Sequence, residues 1–386
     1  RLRADISVND SAKRFREAGV DVFLGSARFS GPGQVEVGGK TLRFAKAVIA
    51  TGARAVELPI PGLKEAGALT NETVFNLTAL PKRLAVIGAG PIGCELAQAF
   101  RRLGSEVHLL EAMGQILIRE DRDAAAVVEK AFVREGVVFS CNHDVARVER
   151  RGAEKVVFTK CDCHPAGIAV DEILVGVGRA PNVEGLGLEE AGVAYTKTGV
   201  TVDDFLRTTN PAIYAAGDIC LGPKFTHTAD FAARIVIQNA LFFGRKRFSA
   251  LTIPWCTYTD PEIAHVGLYE KEAQARGLKV RTFMMEMKDV DRAVLDGEDE
   301  GFAKVLVEDG TDRIVGATIV AAHAGDLISE VSVAMNNGVG LAGIGATIHP
   351  YPTQAEALRR LGDAYNRTRL TPLVRSMLSS WLAWTR

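Results

Sequence analysis

The chain has 386 residues, 47% of them apolar and 24% charged, with a formal net charge of −1. That length accommodates two or three domains with full cores. The near-neutral balance excludes the basic footprint of a nucleic-acid binder, and no uncharged apolar run reaches the ~18 residues that a membrane-spanning helix needs. No secretory signal is visible. Six cysteines, at 94, 141, 161, 163, 220 and 256, are too few and too scattered for a secreted disulfide scaffold. Reduced cytoplasmic thiols are the expectation. Cys161-Asp162-Cys163 is the one close pair; two thiols alone make a poor soft-metal site, and no metal centre is expected. The first residue is Arg1 rather than Met, which reads as a fragment or a processed product.

In chain order, residues 10–19 read as a helix ended by Gly19, and Val20–Leu24 as a short strand. Alternation between turns from Ala27 to Phe44 predicts a small antiparallel meander. Ala47-Val48-Ile49-Ala50 reads as a buried strand running into Thr51-Gly52, and Leu58–Pro61 as a linker. A new unit begins near Leu80. Leu84–Ile87 is a strand, and Pro91–Leu103 a helix with Ile92, Leu96, Ala99, Phe100 and Leu103 on one face. Val107–Leu110 is the next strand, and Asp121–Glu135 a helix closed by Gly136. This order argues for an α/β doubly wound layer. From Pro254 the texture becomes α+β, with strands at Phe302–Val307 and Ile314–Val320 and helices at Ala324–Met335 and Thr353–Leu361. The tail Thr371–Arg386 reads as an amphipathic helix docking on the body, with a membrane-surface anchor as the alternative.

Two patterns carry chemistry. Gly88-Ala89-Gly90-Pro91-Ile92-Gly93 fits G-x-G-x-x-G between an apolar strand and an amphipathic helix, the context that gives the pattern meaning. Gly88 permits the tight turn, Gly90 lets a pyrophosphate reach the backbone, and Gly93 lets helix and strand pack closely. The helix start, with Pro91 and Ile92, offers unpaired N–H groups to phosphate. Glu111 closes the next strand, about 20 residues on, where a carboxylate binds adenosine ribose hydroxyls and repels a 2′-phosphate. NAD(H) is therefore favoured over NADP(H); the plain alternative is an exposed Glu at a strand end. The second pattern is Ile213-Tyr214-Ala215-Ala216-Gly217-Asp218, a buried strand ending in Gly-Asp. Such an end closes over a flavin, or is simply a turn pair.

Together these pieces resemble the pyridine nucleotide–disulfide oxidoreductases. The matched motifs are Ala50-Thr51-Gly52, Gly88–Gly93 with Glu95, Gly178-Arg179-Ala180-Pro181-Asn182, Tyr214–Asp218, and Tyr351-Pro352-Thr353-Gln354-Ala355-Glu356. The resemblance spans the chain in the right order. It implies two doubly wound dinucleotide-binding domains and a C-terminal α+β dimerisation domain. The FAD domain would take residues 1–80 and 200–248, the NAD(P) domain 81–199, and the interface domain of a homodimer 249–386. By match, Ala50, Thr51 and Gly52 line FAD, Glu95 lies on the nicotinamide side of the flavin, and Gly178 and Arg179 belong to the cofactor site. Gly217 approaches the cofactor and Asp218 holds the ribityl chain. His227 and Ala229 match a helix start beneath the flavin pyrimidine; a core or capping His227 is the alternative.

Two departures follow from the same resemblance. The family opens with a flavin fingerprint and a C-x-x-x-x-C disulfide, and no two cysteines here have that spacing; the FAD domain is expected to be incomplete, with roughly 100 residues upstream of Arg1 by family lengths. Where dihydrolipoamide dehydrogenase and glutathione reductase carry a general-base His before Pro-Thr, this chain carries Tyr351, as mercuric reductases do, and keeps Glu356. A phenol titrating near ~10 suits hydrogen bonding or soft-metal contact. His349, two residues earlier, substitutes in part or is a surface or interface His. No vicinal Cys pair occurs after Cys256 of the kind mercuric reductases use. The expected function is an FAD-dependent NAD(P)H oxidoreductase of the disulfide-reductase class, passing hydride from NAD(P)H to FAD and then, through a redox disulfide absent from this chain, to a thiol/disulfide or metal acceptor such as Hg(II). The alternatives are a diaphorase-type enzyme reducing a quinone-like acceptor, and a non-catalytic nucleotide-binding, dimerising fragment.

Overall fold

The computed structural model describes residues 2–161 and 166–385. Asp162 and Cys163 of the close cysteine pair lie outside the described residues. The chain divides into two units, Arg1–Arg54 with Arg179–Ala250, and Ala55–Gly178 with Leu251–Arg386.

In the first unit the expected meander forms from Arg28–Gly31, Gln34–Val37 and Lys40–Arg43, all antiparallel. Ala47–Ile49 pairs in parallel with Ile213–Ala215, joining segments far apart in sequence. Phe29, Ile49, Ile213, Ala215 and Ile219 meet in its core. Ile213–Ala215 leads through a 3-10 turn at Gly217–Ile219 towards the helix Thr226–Leu241. Near the start, the expected helix is shorter, Ala12–Glu17: Ser11 caps its beginning by accepting from the Arg14 N–H, and Gly19, at φ +87°, follows its end. Val20–Leu24 forms no strand. No neighbouring edge pairs with it among the described residues, and Val20, Phe23 and Leu24 stay exposed.

The second unit holds a four-stranded parallel sheet in the order Glu172–Val175, Arg83–Ile87, Glu106–Leu110, Val138–Ser140. The helices Pro91–Leu103 and Arg122–Glu135 connect its strands. The first runs as expected, and Leu96 and Phe100 of its apolar face pack against the core, but the fully buried residues are Gly93, Cys94, Ala97 and Gln98, whereas Ala99 is exposed and Leu103 is 68% exposed. Small residues take the inner face because the helix lies too close to the sheet for large ones. A Cβ on Gly93 would sit 1.9 Å from the Gly88 carbonyl oxygen.

A five-stranded antiparallel sheet completes this unit, in the order Pro254–Thr257, Glu262–Gly267, Ile314–Ala321, Phe302–Glu308, Val280–Glu286. Helices Ala324–Asn336 and Glu356–Thr368 share its core. Buried polar groups join it to the parallel layer. Tyr269 OH and Trp255 Nε1–H donate to the two oxygens of Glu120, at 2.6 and 3.0 Å. Lys304 Nζ lies 2.8 Å from carboxylate oxygens of both Asp121 and Asp123. The tail forms a helix, Pro372–Trp384, but none of its residues is buried. Docking on the body, expected from the sequence, does not occur among the described residues. No helix of the described residues is long and apolar enough to cross a membrane.

Candidate functional site

The glycine-rich turn is built from three close approaches. Gly88 has φ +95°, and a Cβ there would meet Val177 Cγ1 at 2.8 Å and the Gly176 carbonyl at 3.0 Å. Gly93 packs under the turn, as described. Gly90 differs from both. It caps the helix with φ −73° and ψ −176°, a conformation open to any residue, and a Cβ on it would meet nothing nearer than 3.9 Å. Neither strain nor packing in this chain requires a glycine there. The helix it opens has no side-chain cap, and Pro91 stands in the first turn. Its amino end therefore presents unpaired N–H groups and partial positive charge.

Glu111 stands at the end of the neighbouring strand. Its Oε2 accepts from Ala89 N–H at 2.7 Å and its Oε1 from Met113 N–H at 2.8 Å. The carboxylate braces the glycine turn directly. Glu95, on the same helix as Gly93, accepts at Oε1 from Tyr258 N–H at 2.8 Å. Burial raises its carboxyl above the usual range, and the Tyr258 N–H opposes that rise. Gln98 and Arg102, further along this helix, hold Asp260 in the same loop. Nothing in the sequence marks Tyr258 as a partner of Glu95, because 163 residues separate them.

In the first unit, Ala50 and Thr51 are exposed beyond the strand end, and Gly52 has φ +67°. Asn182 fixes this turn: its side chain donates to the Thr51 carbonyl at 2.9 Å and its N–H to the Gly52 carbonyl at 3.0 Å. Gly217 has φ +79° and packs against Ala229, whose Cβ lies 3.2 Å from where a Cβ on Gly217 would stand. Asp218 is buried, with Oδ2 2.6 Å from Arg179 Nη1 in an ion pair that lacks hydrogen-bond alignment. Lys224 Nζ donates to the Arg179 carbonyl. Gly178, just before Arg179, has φ +118° and open space around it. His227 is exposed and stacks on Phe225 with ring centroids 5.3 Å apart. The core and capping alternatives fail: the side chain is exposed, and no side chain caps that helix. The buried hydroxyl in this first turn belongs to Thr228, whose Oγ1 has no hydrogen-bond partner.

The third group lies in the C-terminal sheet-and-helix layer. Tyr351 precedes a cis Pro352, is 69% exposed, and donates from its hydroxyl to Asp291 Oδ2 at 2.8 Å. That carboxylate, with Glu356 adding a smaller part, raises the phenol above its ordinary value. Glu356 is itself paired, 3.0 Å from Arg359 Nη2 and 3.9 Å from Arg360 Nε. His349 is held elsewhere: its Nε2 lies 2.9 Å from Glu330 Oε1 and its Nδ1 2.9 Å from the Thr347 carbonyl. Asp291 and Glu330 were missed from sequence, since nothing local marks them. Among the described residues, no three His, Cys, Asp or Glu side chains converge as a metal site.

Residues 5–233 match the family described as pyridine nucleotide-disulphide oxidoreductase, and residues 253–361 match its dimerisation domain. The chain belongs to this family. Mercuric reductase from Lysinibacillus sphaericus is 36% identical over 344 residues, 89% of this chain and 63% of the relative. Dihydrolipoyl dehydrogenase from Thermus scotoductus is 36% identical over 358 residues, 90% of this chain and 76% of the relative. The chain thus spans 63% of the length of its mercuric reductase relative. Among solved structures, the HOCl-induced flavoprotein disulfide reductase RclA from Escherichia coli superposes with a TM-score of 0.86 at 29% identity, covering 94% of this chain and 84% of that one. Another structure of RclA is a Cu(II) complex. The family binds FAD and pyridine nucleotides.

Proposed function

We propose that these residues form the nucleotide-binding and dimerising body of an FAD-dependent NAD(P)H oxidoreductase of the disulfide-reductase class. The observation that carries the reading is Gly90. Its lack of any strain or neighbour leaves a ligand as the reason for glycine, and the uncapped helix end beneath it suits a dinucleotide pyrophosphate. Gly88 and Gly93 shape that turn, while Glu111 favours NAD(H) over NADP(H) through the repulsion of a 2′-phosphate.

The first unit suits FAD. Asp218 is a buried carboxylate with one oxygen short of a hydrogen bond, which fits a ribityl hydroxyl donor. Thr51, Gly52 and Gly217 offer backbone without bulky side chains, and the start of Thr226–Leu241 is uncapped. FAD and NAD(H) supply hydride transfer between nicotinamide and flavin. Glu95, half-buried and oriented by Tyr258, would position the nicotinamide side, and Arg179 would hold Asp218 in place.

Tyr351 and Glu356 are assigned to the acceptor end, with His349 as a positioning group held by Glu330. The acceptor is a small disulfide or a soft metal ion, reached through a redox disulfide that these residues do not include; relatives named mercuric reductase and a reductase solved as a Cu(II) complex support that class. The dimerisation-domain match supports a homodimer, and the free thiols at 94, 141, 220 and 256 suit the cytoplasm. A second reading is a diaphorase that reduces a quinone-like acceptor.

The intact protein reconstituted with FAD provides the test. Anaerobic NADH should bleach the flavin, and reoxidation should then follow with a disulfide panel or thiol-complexed Hg(II). Reoxidation by a quinone alone favours the diaphorase. Binding of NADH without flavin points to a non-catalytic fragment, and binding of neither nucleotide overturns the proposal.

A further inference from the structure

The helix Pro372–Trp384 stands apart from the rest of the chain in its surface. Thr371 Oγ1 accepts from Val374 N–H, and Pro372 fills the first turn, so the helix start is well formed. At 100° per residue, Leu373, Val374, Met377, Leu378, Trp381, Leu382 and Trp384 fall on one contiguous half of its circumference. Arg375, Ser376, Ser379, Ser380 and Ala383 fill the other half. Nothing in the described chain covers the apolar half: Leu373 is 71% exposed and Trp384 is 84% exposed. The segment also lies beyond residues 253–361, which match the dimerisation domain.

Charge says what fits this face. Residues 364–386 contain four arginines, at 367, 369, 375 and 386, and no Asp or Glu. The chain as a whole carries −1, so cationic charge is concentrated in this stretch. Thirteen helical residues extend about 20 Å, too short for the roughly 30 Å hydrocarbon core, so such a helix lies along a membrane rather than through it. Two tryptophans on the apolar face are suited to the lipid–water boundary, where the ring is buried and the indole N–H stays near water. Arg375, beside the apolar arc, can extend to headgroup phosphates while its stem stays on the apolar side.

We propose that Pro372–Trp384 is an interfacial helix that docks this protein on the surface of an anionic phospholipid bilayer. The rival occupant is the same face of a second copy.

Flotation of the purified full chain with vesicles of phosphatidylcholine, with and without phosphatidylglycerol, tests this. The protein should float with the anionic vesicles and much less with the neutral ones. Brominated lipid should quench its tryptophan fluorescence. The double variant Trp381→Ser/Trp384→Ser should bind at least about tenfold more weakly, and Arg375→Gln about fivefold more weakly. Because no residue of this helix is buried, both variants should keep the wild-type melting temperature. Absence of flotation overturns the proposal, as does flotation that the double variant retains. Loss of self-association in the double variant, with no vesicle binding by the wild type, assigns the face to a second copy instead.

Discussion

Tyr351 and Asp291, 60 residues apart, are joined by a hydrogen bond of 2.8 Å in which the phenol is the donor. The bond fixes the tip of a side chain that is otherwise open to solvent. It favours the neutral phenol, because a phenolate would face the carboxylate. Replacing Asp291 by Asn removes that repulsion, so phenolate absorbance should appear at lower pH than in the wild type. Tyr351→Phe should slow reoxidation of the reduced flavin by acceptor about tenfold, the worth of one such bond, and leave reduction by NADH unchanged. Slower reduction by NADH, seen by stopped flow, would remove Tyr351 from the acceptor end.

Gly90 and Gly93 make opposite demands. A Cβ on Gly93 would stand 1.9 Å from a backbone oxygen, so the Ala variant must part helix and strand. It should lose about 1–3 kcal/mol of stability. Gly90→Ala meets only the Gly176 carbonyl, at an ordinary contact distance of 3.9 Å, and should melt like the wild type. Its NADH affinity should fall at least about tenfold, because the new methyl occupies the approach to the helix end. Thermal melts and NADH titrations of the two variants separate these effects. Normal NADH binding by Gly90→Ala would undo the assignment of this turn to pyrophosphate.

Local signals were legible in the sequence to the extent that a local cause set them. Pro91–Leu103 was found whole because a proline starts it and Gly104 stops it. Its fully buried residues, Gly93, Cys94, Ala97 and Gln98, leave no large apolar signal, while Leu96 and Phe100 pack against the core only in part. Close approach at Gly93 selects small residues instead, and Leu103 is left outside. Val20–Leu24 had strand composition but no partner edge among the described residues, and pairing, not composition, makes a strand. Tyr351 was singled out by its motif, whereas Asp291, Glu330 and Tyr258 became visible only once the chain folded. Partners so distant in sequence leave no periodic trace.

Glu111 has two duties that a substitution can separate. Its oxygens accept from Ala89 and Met113 N–H groups, so Glu111→Gln turns an amide group towards one of those donors. That mismatch should cost about 1–3 kcal/mol of stability. Loss of the negative charge should also raise the NADPH-to-NADH ratio of kcat/KM, by roughly tenfold if repulsion of the 2′-phosphate is its role. Destabilisation with an unchanged ratio would make Glu111 a brace alone.

His265 should set the acid limit of stability. The ring is buried, stacks on Tyr269 at 3.7 Å between centroids, and has Nδ1 2.8 Å from Thr318 Oγ1. Burial pushes its pKa down to about 3, against a contrary pull from the Gly267 carbonyl, and the Lys304 charge adds a little more. The unfolded chain accepts a proton near ~6.5, well above the folded value. The stabilising contribution of His265 is therefore complete above that pH and is lost as pH falls towards 3. Each pH unit inside the window removes up to about 1.4 kcal/mol. Glu120, raised by burial, works in the opposite sense, since its ionisation opposes folding as pH rises. Denaturant unfolding at pH 7 and pH 5 should show His265→Gln less stable at pH 7, through its lost ring contacts. The gap to the wild type should narrow by roughly 2 kcal/mol at pH 5, because the variant has no imidazole to protonate on unfolding. Parallel losses in the two proteins would place the acid sensitivity in other groups.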